Sequence, residues 1–99
     1  MSNSDLEFLA TLEKLIIARR TAPTEGSYTS ELYASGTQRI AQKVGEEAIE
    51  VALASCHDDR DETVGEAADL LYHLLVLLAN QDIALAEVVA TLKSRHSKK

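Results

Sequence analysis

Ile40-Ala41-Gln42-Lys43-Val44-Gly45-Glu46-Glu47-Ala48-Ile49-Glu50-Val51-Ala52 carries apolar residues at 40, 44, 48, 51 and 52, the recurrence of one helical face. Beside that face stand Glu46, Glu47 and Glu50, which fall within an arc of about 100° on an α-helix. A second acidic pair, Glu66 and Asp69, lies on the next helical stretch, its members about 60° apart. Like charges at such spacings destabilise an isolated helix by roughly 0.2–0.5 kcal/mol per pair. Two acidic stripes in one small domain therefore ask for compensation, and a hard cation between the two helices supplies it.

The rest of the chain reads as helix too. Ser4-x-x-Glu7 has the form of a capping box, and Leu6, Leu9, Leu12 and Ile16 follow at helical spacing, which predicts a helix from about Asp5 to Arg20. Thr21-Ala-Pro-Thr-Glu-Gly-Ser27 collects loop formers, and Thr29 to Ala34 is expected to make a short helical turn ending near Gly36. Thr37 is the predicted cap of a long helix reaching about Cys56. His57-Asp58-Asp59 breaks it, and Asp58 or Asp59 caps a further helix to about Asn80. In the second half of that helix, Leu70, Leu71, Leu74, Leu75, Val76, Leu77 and Leu78 cover nearly the whole circumference, as in a helix buried on all sides. One small bundle can hardly bury it alone, so association with further copies is expected. A last helix from about Leu85 to His96 has Ala84 where a capping side chain belongs, and Lys93, Arg95, Lys98 and Lys99 near its C-terminal dipole. The expected architecture is all-α, a bundle of four to five helices in a single domain over residues 1–99, with helices assembling across an oligomer interface.

Ninety-nine residues bury roughly 60–70% of the unfolded surface, enough for one modest core. Ten Lys and Arg against 16 Asp and Glu give a net charge of -6, which disfavours binding to a nucleic-acid backbone. An anionic ligand requires local reversal of that field, and Mg²⁺ or Mn²⁺ does so directly. The lone Cys56 cannot form an internal disulfide, and a reducing compartment fits. The N-terminus shows no signal-peptide pattern, and the longest apolar run, Leu74 to Ala79, is too short to span a bilayer. A cytoplasmic protein without a membrane partner is expected.

Glu47 with Glu50, and Glu66 with Asp69, place four carboxylates where two antiparallel helices can aim oxygens at one point. Oxygen-only ligation selects hard ions. Mg²⁺ takes near-octahedral oxygens at about 2.0–2.1 Å and is usually shared between a few carboxylates and substrate phosphates. The corresponding chemistry is metal-assisted hydrolysis of a nucleotide phosphoanhydride. A single acidic stripe is more often a solvated face; two on consecutive helices favour the metal. A di-iron carboxylate centre would need Glu-x-x-His motifs, which the chain lacks. Lys43 is either a phosphate contact or the i,i+4 ion partner of Glu47. His73, four positions after Asp69, either reaches a phosphate or is buried and hydrogen-bonded. Tyr28 and Tyr72 either stack on a base or fill the core. Gly45, costing roughly 1 kcal/mol in a helix interior, suggests close approach by a helix or ligand.

At these residues the chain resembles the phosphoribosyl-ATP pyrophosphatase family of histidine biosynthesis, within the all-α MazG-like nucleotide pyrophosphohydrolases. The resemblance runs from Leu12 to His96. It is carried by Ser27-Tyr28-Thr29 with Leu32 and Gly36, by Lys43-Val44-Gly45-Glu46-Glu47-Ala48-x-Glu50-Val51, and by Glu66-Ala67-Ala68-Asp69-Leu70-Leu71-Tyr72-His73. The acidic pattern alone indicates the superfamily; the flanking segments indicate the narrower family. The resemblance implies Mg²⁺-dependent hydrolysis of phosphoribosyl-ATP between its α and β phosphates, giving phosphoribosyl-AMP and pyrophosphate. It makes Glu47, Glu50, Glu66 and Asp69 the expected metal ligands, Glu46 a ligand or a group orienting one, and Lys43 a phosphate contact. Tyr28, His73, Arg19 and Arg20 are further substrate-binding candidates, the two arginines for the second ribose phosphate, for which Arg39 is another candidate. It also implies a homodimer or a dimer of dimers, and the stand-alone form of a domain that is elsewhere fused to a cyclohydrolase. The alternatives are a house-cleaning nucleoside triphosphate pyrophosphohydrolase with the same metal site, and a non-enzymatic acidic helical module.

Overall fold

The structure, a computed structural model, describes residues 3–97. Five helices occupy them, with no strand: α1 Asn3–Thr21, α2 Tyr28–Ser35, α3 Thr37–Cys56, α4 Arg60–Asn80 and α5 Leu85–Ser97. The most extensive packing is between α3 and α4, which are joined by a three-residue turn and so run antiparallel. Asp58 takes a left-handed conformation there, with φ 58°. Asp59 then starts α4, its Oδ1 accepting from the Glu62 N–H at 3.0 Å.

One apolar cluster joins four helices. Ile16 from α1, Leu32 from α2, Ile40 from α3, and Leu75, Val76 and Ala79 from α4 are buried together, with Leu9, Leu12, Tyr33, Tyr72, Leu77 and Leu85 packed around them. Tyr33 donates its hydroxyl hydrogen to the Ile16 carbonyl at 2.9 Å, so this polar atom of α2 at the edge of the core is satisfied. Ser27 caps α2 by accepting from the Ser30 N–H at 3.3 Å.

Three local expectations need correction. Ser4 lies inside α1 rather than at its cap. Thr37 does not cap α3: Gly36 holds that position at φ 91°, a conformation open to glycine, without a side-chain cap bond. The Thr37 hydroxyl instead accepts from Asn80 Nδ2 at 2.7 Å and ties the start of α3 to the end of α4. Third, the apolar circumference of α4 is largely covered within the chain. His73, Leu75, Val76 and Ala79 are buried, and only Leu71 of the predicted set is exposed, at 47%. α1, α2 and α3 together provide the cover that was assigned to other copies.

The start of α5 shows what replaces the missing cap at Ala84. Glu87 Oε2 accepts from the Ala84 N–H at 2.9 Å, and Glu13 Oε2, reaching over from α1, accepts from the Leu85 N–H at 2.6 Å. Two carboxylates thus satisfy orphan donors at the positive end of the helix dipole. α5 leaves α4 at 106° and contributes no buried residue of its own. Lys98 and Lys99 lie outside the described residues. No single helix there is long and apolar enough to cross a membrane.

Because Glu13 is the cap supplied from another helix, Glu13→Ala should weaken the attachment of α5 by about 1 kcal/mol. Amide hydrogen exchange should accelerate across residues 85–97 while α3 and α4 keep their protection; uniform loss across the chain would contradict this assignment.

Candidate functional site

The register of the α3–α4 hairpin brings the two acidic stripes face to face. Glu47, Glu66 and Asp69 each offer a carboxylate oxygen, and these oxygens all lie within 4.8 Å of one another. They line a cleft of about 430 Å³ whose remaining walls are Lys43, Glu46 and Glu50. Every residue predicted for the metal site is therefore present around one space. Glu47, Glu66 and Asp69 form its closest group; Glu50 lines the cleft outside that group.

The electrostatics of the cleft are strained. A hydrogen bond to Glu47, partial burial and the negative charges of Glu47, Glu50 and Asp69 together raise the Glu66 carboxyl above its ordinary range. A proton held between carboxylates is what such a cluster accepts where no cation is present. The donor set is all oxygen and anionic, so the residues fit a hard divalent cation such as Mg²⁺ or Mn²⁺. Lys43 Nζ stands 3.9 Å from Glu47 Oε1, a partial counter-charge at the rim. Gln42 Nε2 donates to Glu46 Oε2 at 3.0 Å and orients that carboxylate.

His73 is 5% exposed, and both of its ring nitrogens are engaged. Nδ1 lies 2.8 Å from the Asp69 carbonyl, which can only accept, so the proton sits on Nδ1. Nε2 then accepts from the Tyr28 hydroxyl at 2.9 Å. The rings of Tyr28 and Tyr72 stack with centroids 6.1 Å apart, and the Tyr72 hydroxyl is hydrogen-bonded to Thr29. His73 is thus a strut between the Asp69 turn and α2, whereas Tyr28, half exposed, faces solvent with part of its ring.

The structure does not bring Arg19 or Arg20 to the cleft. Arg20 donates to the Ala79 carbonyl at 2.8 Å and pairs with Asp82, which is held at φ 59°. That position is about 15 Å along α4 from Asp69, at 1.5 Å per residue. Arg19, beside Arg20 in the last turn of α1, is half-buried. Gly45 faces open space, since a Cβ there would meet nothing within 4 Å, so the close approach expected of it has no counterpart among the described residues. Sequence reasoning also overlooked Glu13 as a cap, because a contact spanning 72 positions leaves no local pattern.

A family model described as phosphoribosyl-ATP pyrophosphohydrolase matches residues 9–96. The chain is 55% identical over 95 residues to the histidine biosynthesis bifunctional protein HisIE of Yersinia pestis, covering 96% of this chain and 47% of that protein. It is 55% identical over 94 residues to the protein of the same description from Campylobacter jejuni, covering 95% and 45%. With the one from Salmonella typhimurium it shares 57% identity over 89 residues, covering 90% and 44%. The chain spans about half the length of the curated relatives it matches.

The raised Glu66 carboxyl sets a pH test. A carboxyl whose folded-state pKa is raised contributes stability that is complete below its unfolded value and lost as pH rises through the folded one. Glu66→Gln cannot ionise, so in metal-free buffer its Tm should gain on wild type as pH rises from about 4 to about 8. Saturating Mg²⁺ should reverse the gain, because the cation stabilises the ionised wild-type cluster. A Tm difference independent of pH would remove the like-charge strain from the account.

Proposed function

The chain belongs to the phosphoribosyl-ATP pyrophosphohydrolase family, and on that premise we propose that it hydrolyses phosphoribosyl-ATP to phosphoribosyl-AMP and pyrophosphate in a Mg²⁺-dependent reaction of histidine biosynthesis. The observation that carries the reading is the convergence of Glu47, Glu66 and Asp69 within 4.8 Å in a cleft large enough to admit phosphate groups. A free, exposed Cys56 agrees with a reducing, cytoplasmic setting.

Glu47, Glu66 and Asp69 hold the cation, with Glu50 completing the set from the cleft wall. Mg²⁺ bound there supplies positive charge against the phosphoryl oxygens and lowers the pKa of water. Glu46, the cleft carboxylate outside this ligand set, is the acceptor for the proton of the attacking water. The water oxygen bonds to the α-phosphorus, the bond from that phosphorus to the bridging oxygen breaks, and pyrophosphate leaves with the electron pair. Lys43, at the rim of the cleft, stabilises the charge that develops on the departing phosphates. His73 keeps the Asp69 turn in place and takes no proton from substrate, since both its nitrogens are already used. Arg20 serves the junction of α1 with the end of α4 rather than the substrate.

Glu47→Gln, Glu50→Gln and Asp69→Asn conserve volume while removing charge from a shared cation. Each should lower phosphoribosyl-ATP turnover at least about a hundredfold. Circular dichroism should remain helical, and wild-type activity should vanish with chelator and return with Mg²⁺. Near-normal Mg²⁺-dependent rates in any two of the three variants would disqualify this ligand set.

Oligomerisation belongs to the same proposal, as a homodimer or a dimer of dimers. Its support is the exposure of Ile49 and Leu53 on α3, at 62% and 53%, and of Val64 and Leu71 on α4, at 61% and 47%. Leu75, by contrast, is core. The double variant Ile49→Glu/Leu71→Glu should sediment as a helical monomer at micromolar concentration while wild type sediments as a larger species; a monomeric wild type would refute the association.

A further inference from the structure

A second, smaller groove of about 180 Å³ adjoins the acidic cleft and shares Lys43 with it. Its other walls are Tyr28, Glu31, Leu32, Ser35 and Arg39. We propose that this groove receives the ribose 5-phosphate end of the substrate, with the Arg39 guanidinium holding the phosphate that is not cleaved. The inference rests on the functional reading above and adds to it the group that separates phosphoribosyl-ATP from ATP.

The geometry of α3 supports the assignment. Arg39, Lys43, Glu46 and Glu50 fall within about 60° of one another around the helix, forming one face that changes sign along its length. Arg39 stands eight residues, or about 12 Å, from Glu47, beyond a pyrophosphate bound at the carboxylates but within the span of an adenosine. A substrate that carries a metal-chelated triphosphate at one end and a bare phosphate at the other matches this polarity. Folding alone does not ask for Arg39 where it is. A cation in the first turn of a helix opposes the macrodipole, and α3 has no acidic residue in that turn. Among the described residues Arg39 pairs with no carboxylate; the ion pairs there are Arg20 with Asp82 and Lys43 with Glu47.

The remaining walls suit a sugar. The Glu31 carboxylate would repel a chain of phosphates but accepts hydrogen bonds from ribose hydroxyls. Ser35 donates its hydroxyl hydrogen to the Leu32 carbonyl at 2.7 Å, so its oxygen is left as an acceptor facing the groove. The Tyr28 ring, fixed by its hydrogen bond to buried His73, forms a rigid apolar wall. The groove holds a phosphorylated pentose rather than a whole nucleotide.

The test compares wild type with Arg39→Gln on phosphoribosyl-ATP and ATP at saturating Mg²⁺, alongside an NMR titration of each protein with ribose 5-phosphate. Loss of a charge-assisted bidentate contact should raise the KM for phosphoribosyl-ATP by about tenfold or more. The kcat on that substrate and the slow hydrolysis of ATP should stay within about twofold. Ribose 5-phosphate should shift Ser35 and Arg39 resonances in wild type and leave the variant unperturbed. Equal loss on both substrates would mean that Arg39 serves the triphosphate, and no loss on either would mean that it serves neither; both overturn the inference and leave the proposed function standing. If wild type is inert toward phosphoribosyl-ATP, the proposed function falls, and the titration alone then decides the groove: shifts at Ser35 and Arg39 support it, and their absence overturns it.

Discussion

Ile16, Ile40 and Val76 meet with essentially no exposure to water, and the remaining structure depends on that contact. Burying side chains of this size contributes roughly 1.5–3 kcal/mol each, and together they lock α1, α3 and α4 into one register. With Ile40 held against Val76, the antiparallel course of the hairpin brings Glu47 opposite Glu66 and Asp69. A slip of one helical turn along α4 would keep much of the apolar contact but separate the carboxylates. The acidic cleft is thus a by-product of core packing at one end of the hairpin, maintained against its own electrostatics by side chains a few turns away.

That opposition of forces explains the distribution of polar bonds. Near the core end, the links are conventional and satisfied: Asn80 to Thr37, Tyr33 to the Ile16 carbonyl, Arg20 to the Ala79 carbonyl. At the other end, charges of one sign are crowded together and Glu66 holds its proton more tightly than usual. His73 lies between the two regimes. Its imidazole fills a buried position that an apolar side chain could occupy, yet it also braces the turn carrying Asp69 against Tyr28.

Much of this was legible in the residues because it is local. Periodicity placed all five helices to within a few positions, and the polar break narrowed the cap of α4 to Asp58 or Asp59, of which Asp59 serves. The acidic stripes could be read on each helix separately, and only their convergence needed coordinates. What escaped depended on pairs distant in the chain. Glu13 caps α5 across 72 positions, and Thr37 is taken by Asn80 across 43. The cover of α4 was misjudged for the same reason: an all-round apolar helix announces that it is buried, but not by what. Arg19 and Arg20 are the cations next to the long loop in sequence, whereas packing carries Arg20 to Asp82.

The short turn at residues 57–59 has a consequence for how the molecule comes into being. All four proposed ligands lie within residues 47–69, so assembling them requires closure of one short segment rather than a search across the whole chain. Closing so short a loop costs little chain entropy. The mutual repulsion of Glu47, Glu66 and Asp69 is therefore met as the hairpin closes. The site then acts as an opposing term in the folding barrier as well as in the final balance of stability, and divalent cations in the surrounding solution bear on the rate at which this chain folds.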